Sequence, residues 1–363
     1  YIETAKNYTP YSSDRMSRAV RKAYSDYRKV ITRLNRYLDT TQIKQCEGNY
    51  SGINYDNVTS VTLNRQRYAF KNQNKNGMIK YPDNHDRVSA AQLFNDWVFN
   101  KVNNKETIKG SRVGINDLVK SALEVRLNSS SNNNTTRDLL NAQWLDNGKN
   151  TGDLGNIIPV CDISGSMTSD EALNSAVGLS IRVAEKSRLG PRVMSFSCKP
   201  TWIKLYEDDS SFVDNVHAIM DGPVGYNTNF TASLTLLLEA CRTANLTSDE
   251  VGNLVLAVFS DMQIDECNNE PLSDTMWDLI KKKFKAYGYD KVPHILFWNL
   301  RSTSGFPTLS TQNGVSMFSG FSPALLNMFC EKGTDFLANV TPIKMLMEML
   351  SHERYNTLIG WNY

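Results

Sequence analysis

The 363-residue chain has four histidines, six cysteines and no apolar run near the roughly 20 residues that a membrane-crossing helix needs. Each scarcity removes a class of function. The cysteines (Cys46, Cys161, Cys198, Cys241, Cys267 and Cys330) include no C-x-x-C pair. That argues against structural zinc and for reduced thiols in an intracellular, cytoplasmic setting. His85, His217, His294 and His352 stand alone, without the spacing of a metal pair, and read as structural residues. Gly-x-Ser-x-Gly and P-loop signatures are missing, so the chain carries neither an α/β-hydrolase elbow nor a nucleotide cradle. The first residues, starting at Tyr1, show no signal-peptide pattern, and the chain is expected to be a fragment or processed product.

The formal net charge of +2 conceals an asymmetry. Residues 1–150 hold 24 Lys and Arg against 14 Asp and Glu; the remainder holds 16 against 24. A basic half followed by an acidic half suggests two domains with different partners, the basic one suited to a polyanion.

Over residues 14–38, Val20, Tyr24, Tyr27, Ile31, Leu34 and Leu38 recur at three- and four-residue steps, one face of an amphipathic helix. The tyrosines are expected in the core. The other faces carry Arg15, Arg18, Arg21, Lys22, Arg28, Lys29, Arg33 and Arg36, either a solvated basic surface or one that meets RNA phosphates. Further helical patterns over 56–72, 88–102 and 115–127 give an α-helical domain over residues 1–127. The low-complexity "NSSSNNNTT" opens a polar linker, 128–152. From 153 to 363 the pattern becomes apolar strands (156–162, 191–198, 201–206, 253–262, 294–300, 314–320) alternating with helices. That alternation predicts an α/β domain, a mostly parallel sheet with helices on both faces.

In such a sheet, ligands bind at the carboxyl ends of the strands. "VCDISGSMTSD" places Asp162, Ser164 and Ser166 in the turn after the first strand. "GYNTNFT" offers Thr228, with Thr231 as second choice, and "FSDMQID" offers Asp261, with Asp265 four residues on. Two carboxylates and three hydroxyls form an all-oxygen donor set, the chemistry of Mg²⁺, with Mn²⁺ or Ca²⁺ as alternatives. The competing reading of the first loop is a serine-rich helix cap.

Residues 162–166, D-I-S-G-S, match the D-x-S-x-S pattern and resemble the metal-ion-dependent adhesion site (MIDAS) of von Willebrand A domains. The resemblance implies that Asp162, Ser164, Ser166, Thr228 and Asp261 hold a divalent cation that docks an acidic group of a protein partner. Two departures stand out: Asn227-Thr228 where Gly-Thr is usual, and Asp261-Met262 where Asp-Gly is common. The strings "YRKVI", "IKKKFKAYGYDKVPHILFWNLR" and "GVSMFSGFSPALL" resemble an uncharacterised von Willebrand A-containing family of plants, microbes and large DNA viruses, domain of unknown function 2828. That family is in turn similar to Ro-type ribonucleoproteins, which join an RNA-binding helical ring to an A domain.

The resemblance implies a non-enzymatic binding or scaffold protein, its basic half meeting RNA. The alternative is a structural or assembly protein, such as a viral particle component, with protein-only partners and a virion as its location. A metal-dependent hydrolase is not expected: D-I-S-G-S lacks the second Asp of an aspartyl-phosphate enzyme, and no nucleophile–base pair is apparent.

Overall fold

The computed structural model describes residues 13–127, 134–167, 170–197, 199–222, 229–262, 276–301 and 314–320, with a few positions between 343 and 351. The chain divides into two compact units, residues 1–106 and 107–363.

The first unit is helical: α1 (Ser13–Tyr37), α2 (Thr41–Cys46), α3 (Ser60–Phe70) and α4 (His85–Asn103). Thr59 and Asn84 cap α3 and α4 by accepting from the backbone N–H groups of Thr62 and Arg87. Tyr55, Phe70 and Phe94 pack edge-on or tilted with centroids 5.0–5.5 Å apart, and Trp97 closes the aromatic cluster. Helix α1 departs from expectation. Its tyrosines are not core: Tyr24, Tyr27 and Tyr37 are 44%, 51% and 88% exposed, and Leu34 and Leu38 are exposed with them.

The second unit begins earlier than a boundary at residue 127 would place it. Helix α5 (Ile115–Leu127) and helix α6 (Asn134–Gly148) belong to it, so α6 replaces most of the expected linker. Trp144 of α6 is buried and stacks on Phe212 at 4.2 Å between centroids. The Arg182 guanidinium lies 3.8 Å above the same ring, and Trp144 Nε1 donates to Glu185 over 2.7 Å. These contacts make α6 part of the core.

Six strands follow: β1 (Ile157–Asp162), β2 (Arg192–Phe196), β3 (Trp202–Lys204), β4 (Val255–Ser260), β5 (His294–Asn299) and β6 (Val315–Ser319). They are ordered 3-2-1-4-5-6, parallel except for the β2–β3 hairpin. β1 and β4 are buried throughout, which is why they read as continuous apolar runs. On one face, Cys161, Ala257, Phe259 and Trp298 join α5, α6, α7 (Asp170–Lys186) and α8 (Phe212–Met220). On the other, Ile158, Val160, Val258 and Phe297 join α9 (Phe230–Thr243) and α11 (Met276–Ala286); the short α10 (Ser248–Gly252) leads into β4. The expected α/β architecture, helices on both faces of a mostly parallel sheet and a helical region before it, is the one found. The expected helices at 322–331 and 342–352 lie largely outside the described residues.

Candidate metal centre

The strand order contains one reversal. From β1 the chain runs outward through β2 and β3, then returns to place β4 on β1's other side. Adjacent connections therefore leave the sheet in opposite directions between β1 and β4, and the crevice at their carboxyl ends is where such sheets bind ligands. Asp162 ends β1, Ser260 ends β4, and Asp261 follows it directly. Asp162 and Asp261 are both fully buried.

The Asp162 carboxylate is held on both oxygens. Oδ1 accepts from the Ser164 backbone N–H at 2.9 Å, and Oδ2 accepts from Ser260 Oγ at 2.5 Å. The Ser164 bond closes a tight turn that brings loop one back over the strand end. There Ser164 Oγ and Ser166 Oγ lie 2.9 Å apart, within hydrogen-bond reach of each other. Burial pushes the Asp162 carboxyl above the ordinary range, and the neighbouring Asp261 charge adds to this. The hydrogen bonds from Ser260 and Ser164 work against that rise.

Loop three turns sharply after Asp261. Met262 adopts φ +61°, and its N–H donates to Ser260 Oγ at 3.1 Å. This is the position where Asp-Gly is common, and the left-handed backbone explains that preference, since only glycine adopts it without cost. Met262 holds this left-handed turn without a glycine.

Four of the five expected ligands, Asp162, Ser164, Ser166 and Asp261, fall at this strand-end crevice. Thr228 and Asp265 lie outside the described residues. Thr231 is in the first turn of α9, whose cap is Asn229. Among the described residues no group of three or more His, Cys, Asp or Glu gathers as a metal cluster. The donor set here is two carboxylates plus hydroxyls, and that composition fits a hard cation with few protein carboxylates. Two nearby residues escaped the sequence reading. Ser260 is the hydrogen-bond partner of Asp162, signalled only by a polar residue at the end of a buried strand. Arg301 donates from Nη1 to the Ser166 carbonyl at 2.9 Å and approaches Asp261 Oδ2 to 3.5 Å. It lies 135 residues from loop one, so no local pattern reveals it.

Cys161 and Trp298 are fully buried, and burial pushes the Cys161 thiol up to about 12. On α1, Arg18, Arg21, Lys22, Arg28, Lys29, Arg33 and Arg36 are exposed or partly exposed; the Arg15 side chain lies outside the described residues.

Residues 156–352 match the family model described as Domain of unknown function (DUF7788), a span that takes in the whole sheet and its strand-end crevice. The chain belongs to that family. This corrects the resemblance to domain of unknown function 2828, which is a different family. An uncharacterized protein, L728, of Acanthamoeba polyphaga mimivirus is 29% identical over 332 residues, covering 89% of this chain and 54% of that protein. The crystal structure of the Deinococcus radiodurans RO (RSR) protein superposes with a TM-score of 0.46 at 12% identity, covering 76% of this chain and 53% of that one. The chain thus spans about half the length of each of these two proteins. Among the described residues no helix is long and apolar enough to cross a membrane.

Proposed function

We propose that the chain is a binding module and not an enzyme. Asp162, Ser164, Ser166 and Asp261, with Thr228, hold a divalent cation, Mg²⁺ or in its place Mn²⁺ or Ca²⁺, to which a protein partner's acidic group docks. One observation carries this reading: two fully buried carboxylates sit side by side at the switch point of the sheet, next to two serine hydroxyls 2.9 Å apart. Paired buried carboxylates are costly unless a proton or a cation offsets them. When bound, the cation supplies an open coordination position for an outside carboxylate. The protein's own part is to hold the donors. Ser260 fixes one Asp162 oxygen, the Ser164 turn fixes the other, and the parallel β1–β4 pairing keeps the loops in register. Calorimetric titration with Mn²⁺ tests this: one site is expected in the native chain and none after Asp162→Asn. Equal uptake by both would overturn it.

A second surface belongs to the helical unit, and its assignment to single-stranded RNA rests on α1. That helix exposes Arg21, Lys22, Arg28, Lys29, Arg33 and Arg36 together with Tyr24, Tyr27 and Tyr37. Basic side chains meet phosphates, and exposed aromatic rings stack on unpaired bases. The competing reading, an assembly protein with protein-only partners, predicts no salt-sensitive RNA affinity.

A further inference from the structure

Arg301 sits where the cation site opens. Its backbone N–H donates to Asn299 Oδ1 at 2.9 Å, which anchors the residue at the end of β5. From there the side chain reaches across the end of β4 to loop one. Nη1 donates to the Ser166 carbonyl oxygen at 2.9 Å and lies 3.5 Å from Asp261 Oδ2. One guanidinium thus joins the two loops that carry the carboxylates, while its side chain remains 44% exposed.

We infer that Arg301 and a divalent cation compete for Asp261, so that Arg301 sets the affinity of the site for its metal ion. The inference rests on the cation-site reading above and adds a residue outside the metal-ligand pattern. Asp261 is fully buried, and the positive group 3.5 Å from its Oδ2 already offsets part of its charge. A cation drawn to the same carboxylate meets that guanidinium as a like charge. Either the guanidinium withdraws toward solvent or the metal binds more weakly. Withdrawal is open to it, because a half-exposed arginine head reaches water by rotating its own side chain. The guanidinium then stands at the rim beside the cation, where a docked carboxylate would meet two positive groups.

Mn²⁺ titration of the full chain, followed by the electron-spin signal of free Mn²⁺, tests this with three proteins. Arg301→Ala should bind Mn²⁺ about five-fold more tightly than the native chain, the scale of a partly exposed ion pair. Arg301→Lys keeps the charge and should stay near native affinity. Thermal melting of each variant checks that the fold persists. Equal or weaker binding by Arg301→Ala overturns the inference, and weaker binding would make the residue a structural tether of the loops. If neither the native chain nor the variants bind more Mn²⁺ than Asp162→Asn, the cation reading itself falls and this inference with it.

Discussion

Ser260 Oγ donates to Asp162 Oδ2 across 2.5 Å and so ties the end of β4 to the end of β1. The bond joins residues 98 positions apart at the middle of the sheet, and it satisfies a carboxylate that has no exposure to water. Removing the side chain outright would leave the Ser260 hydroxyl and the Ser164 N–H without their acceptor, at a cost of about 1–3 kcal/mol each. Asp162→Ala therefore confuses binding with folding. The amide isostere does not, because its carbonyl oxygen still accepts a hydrogen bond.

Asp162→Asn is expected to melt at or above the native temperature. Burial, with Asp261 adding to it, raises the Asp162 pKa above its unfolded value, so folding favours the protonated acid. Its contribution to stability is fully present below the unfolded carboxylate value of about 3.9 and is lost as pH rises through the folded value. The advantage of the neutral amide should grow over that window and then level off. Differential scanning calorimetry of both proteins in chelator, from pH 3.5 to 8, measures it. A native chain that gains on the variant as pH rises would show that the site stabilises the charged form.

The strands and the first loop were legible because buried parallel strands read as unbroken apolar runs, and D-I-S-G-S follows one of them directly. Helix α6 was not legible. Its sequence, NTTRDLLNAQWLDNG, has the polar look of a linker, yet Asn141, Gln143 and Asp146 are buried. Each satisfies backbone groups elsewhere: Asn141 accepts from Val213 N–H at the start of α8, Gln143 donates to the Lys109 carbonyl, and Asp146 accepts from Gly110 and Ser111 N–H. Polar residues spent on capping other segments erase the apolar periodicity by which helices are recognised. The α1 tyrosines failed in the opposite sense, since a regular stripe shows that a face is apolar but not that anything covers it.

Trp144→Ala should cost about 3–5 kcal/mol, as large buried aromatic truncations do. The substitution removes the stack on Phe212, the ring under Arg182 and the donor to Glu185, and leaves Arg182 and Glu185 facing a void. Urea unfolding followed by circular dichroism checks this. A loss below about 1 kcal/mol would return residues 134–148 to the status of a linker, since surface changes stay near half that size.

The cysteines should separate sharply by reactivity. Burial raises the Cys161 thiol to about 12 and the Cys241 thiol to about 11, while Cys46 is exposed. The thiolate is the reactive form, so at pH 8 the two buried residues hold almost none of it. Iodoacetamide at that pH, followed by peptide mass spectrometry, should label Cys46 within minutes and leave Cys161 and Cys241 unlabelled until denaturant is added. Labelling of Cys161 in the native protein would mean that the β1–α7 packing opens readily.

Reversing Arg21, Arg28 and Arg36 to Glu should abolish RNA binding and leave Mn²⁺ uptake unchanged. All three are exposed on α1, and Arg21 bonds only its own helix, through the Ser17 carbonyl, among the described contacts. Their loss should therefore not disturb packing. Binding of a fluorescent single-stranded oligonucleotide by the native chain should fall linearly on a log–log salt plot, with a slope near −0.7 for each phosphate contacted. The tyrosines give a separate handle. Tyr24→Ala with Tyr27→Ala removes about 1–3 kcal/mol for each stacked base but leaves the salt slope where it was, because stacking releases no counterions. Affinity lost with the slope intact identifies bases on the rings. Affinity unchanged in the tyrosine pair, with the arginine reversal still effective, confines the contact to phosphates. If the arginine reversal binds RNA as well as the native chain, the basic face is only solvated surface and the protein-only assembly reading takes its place.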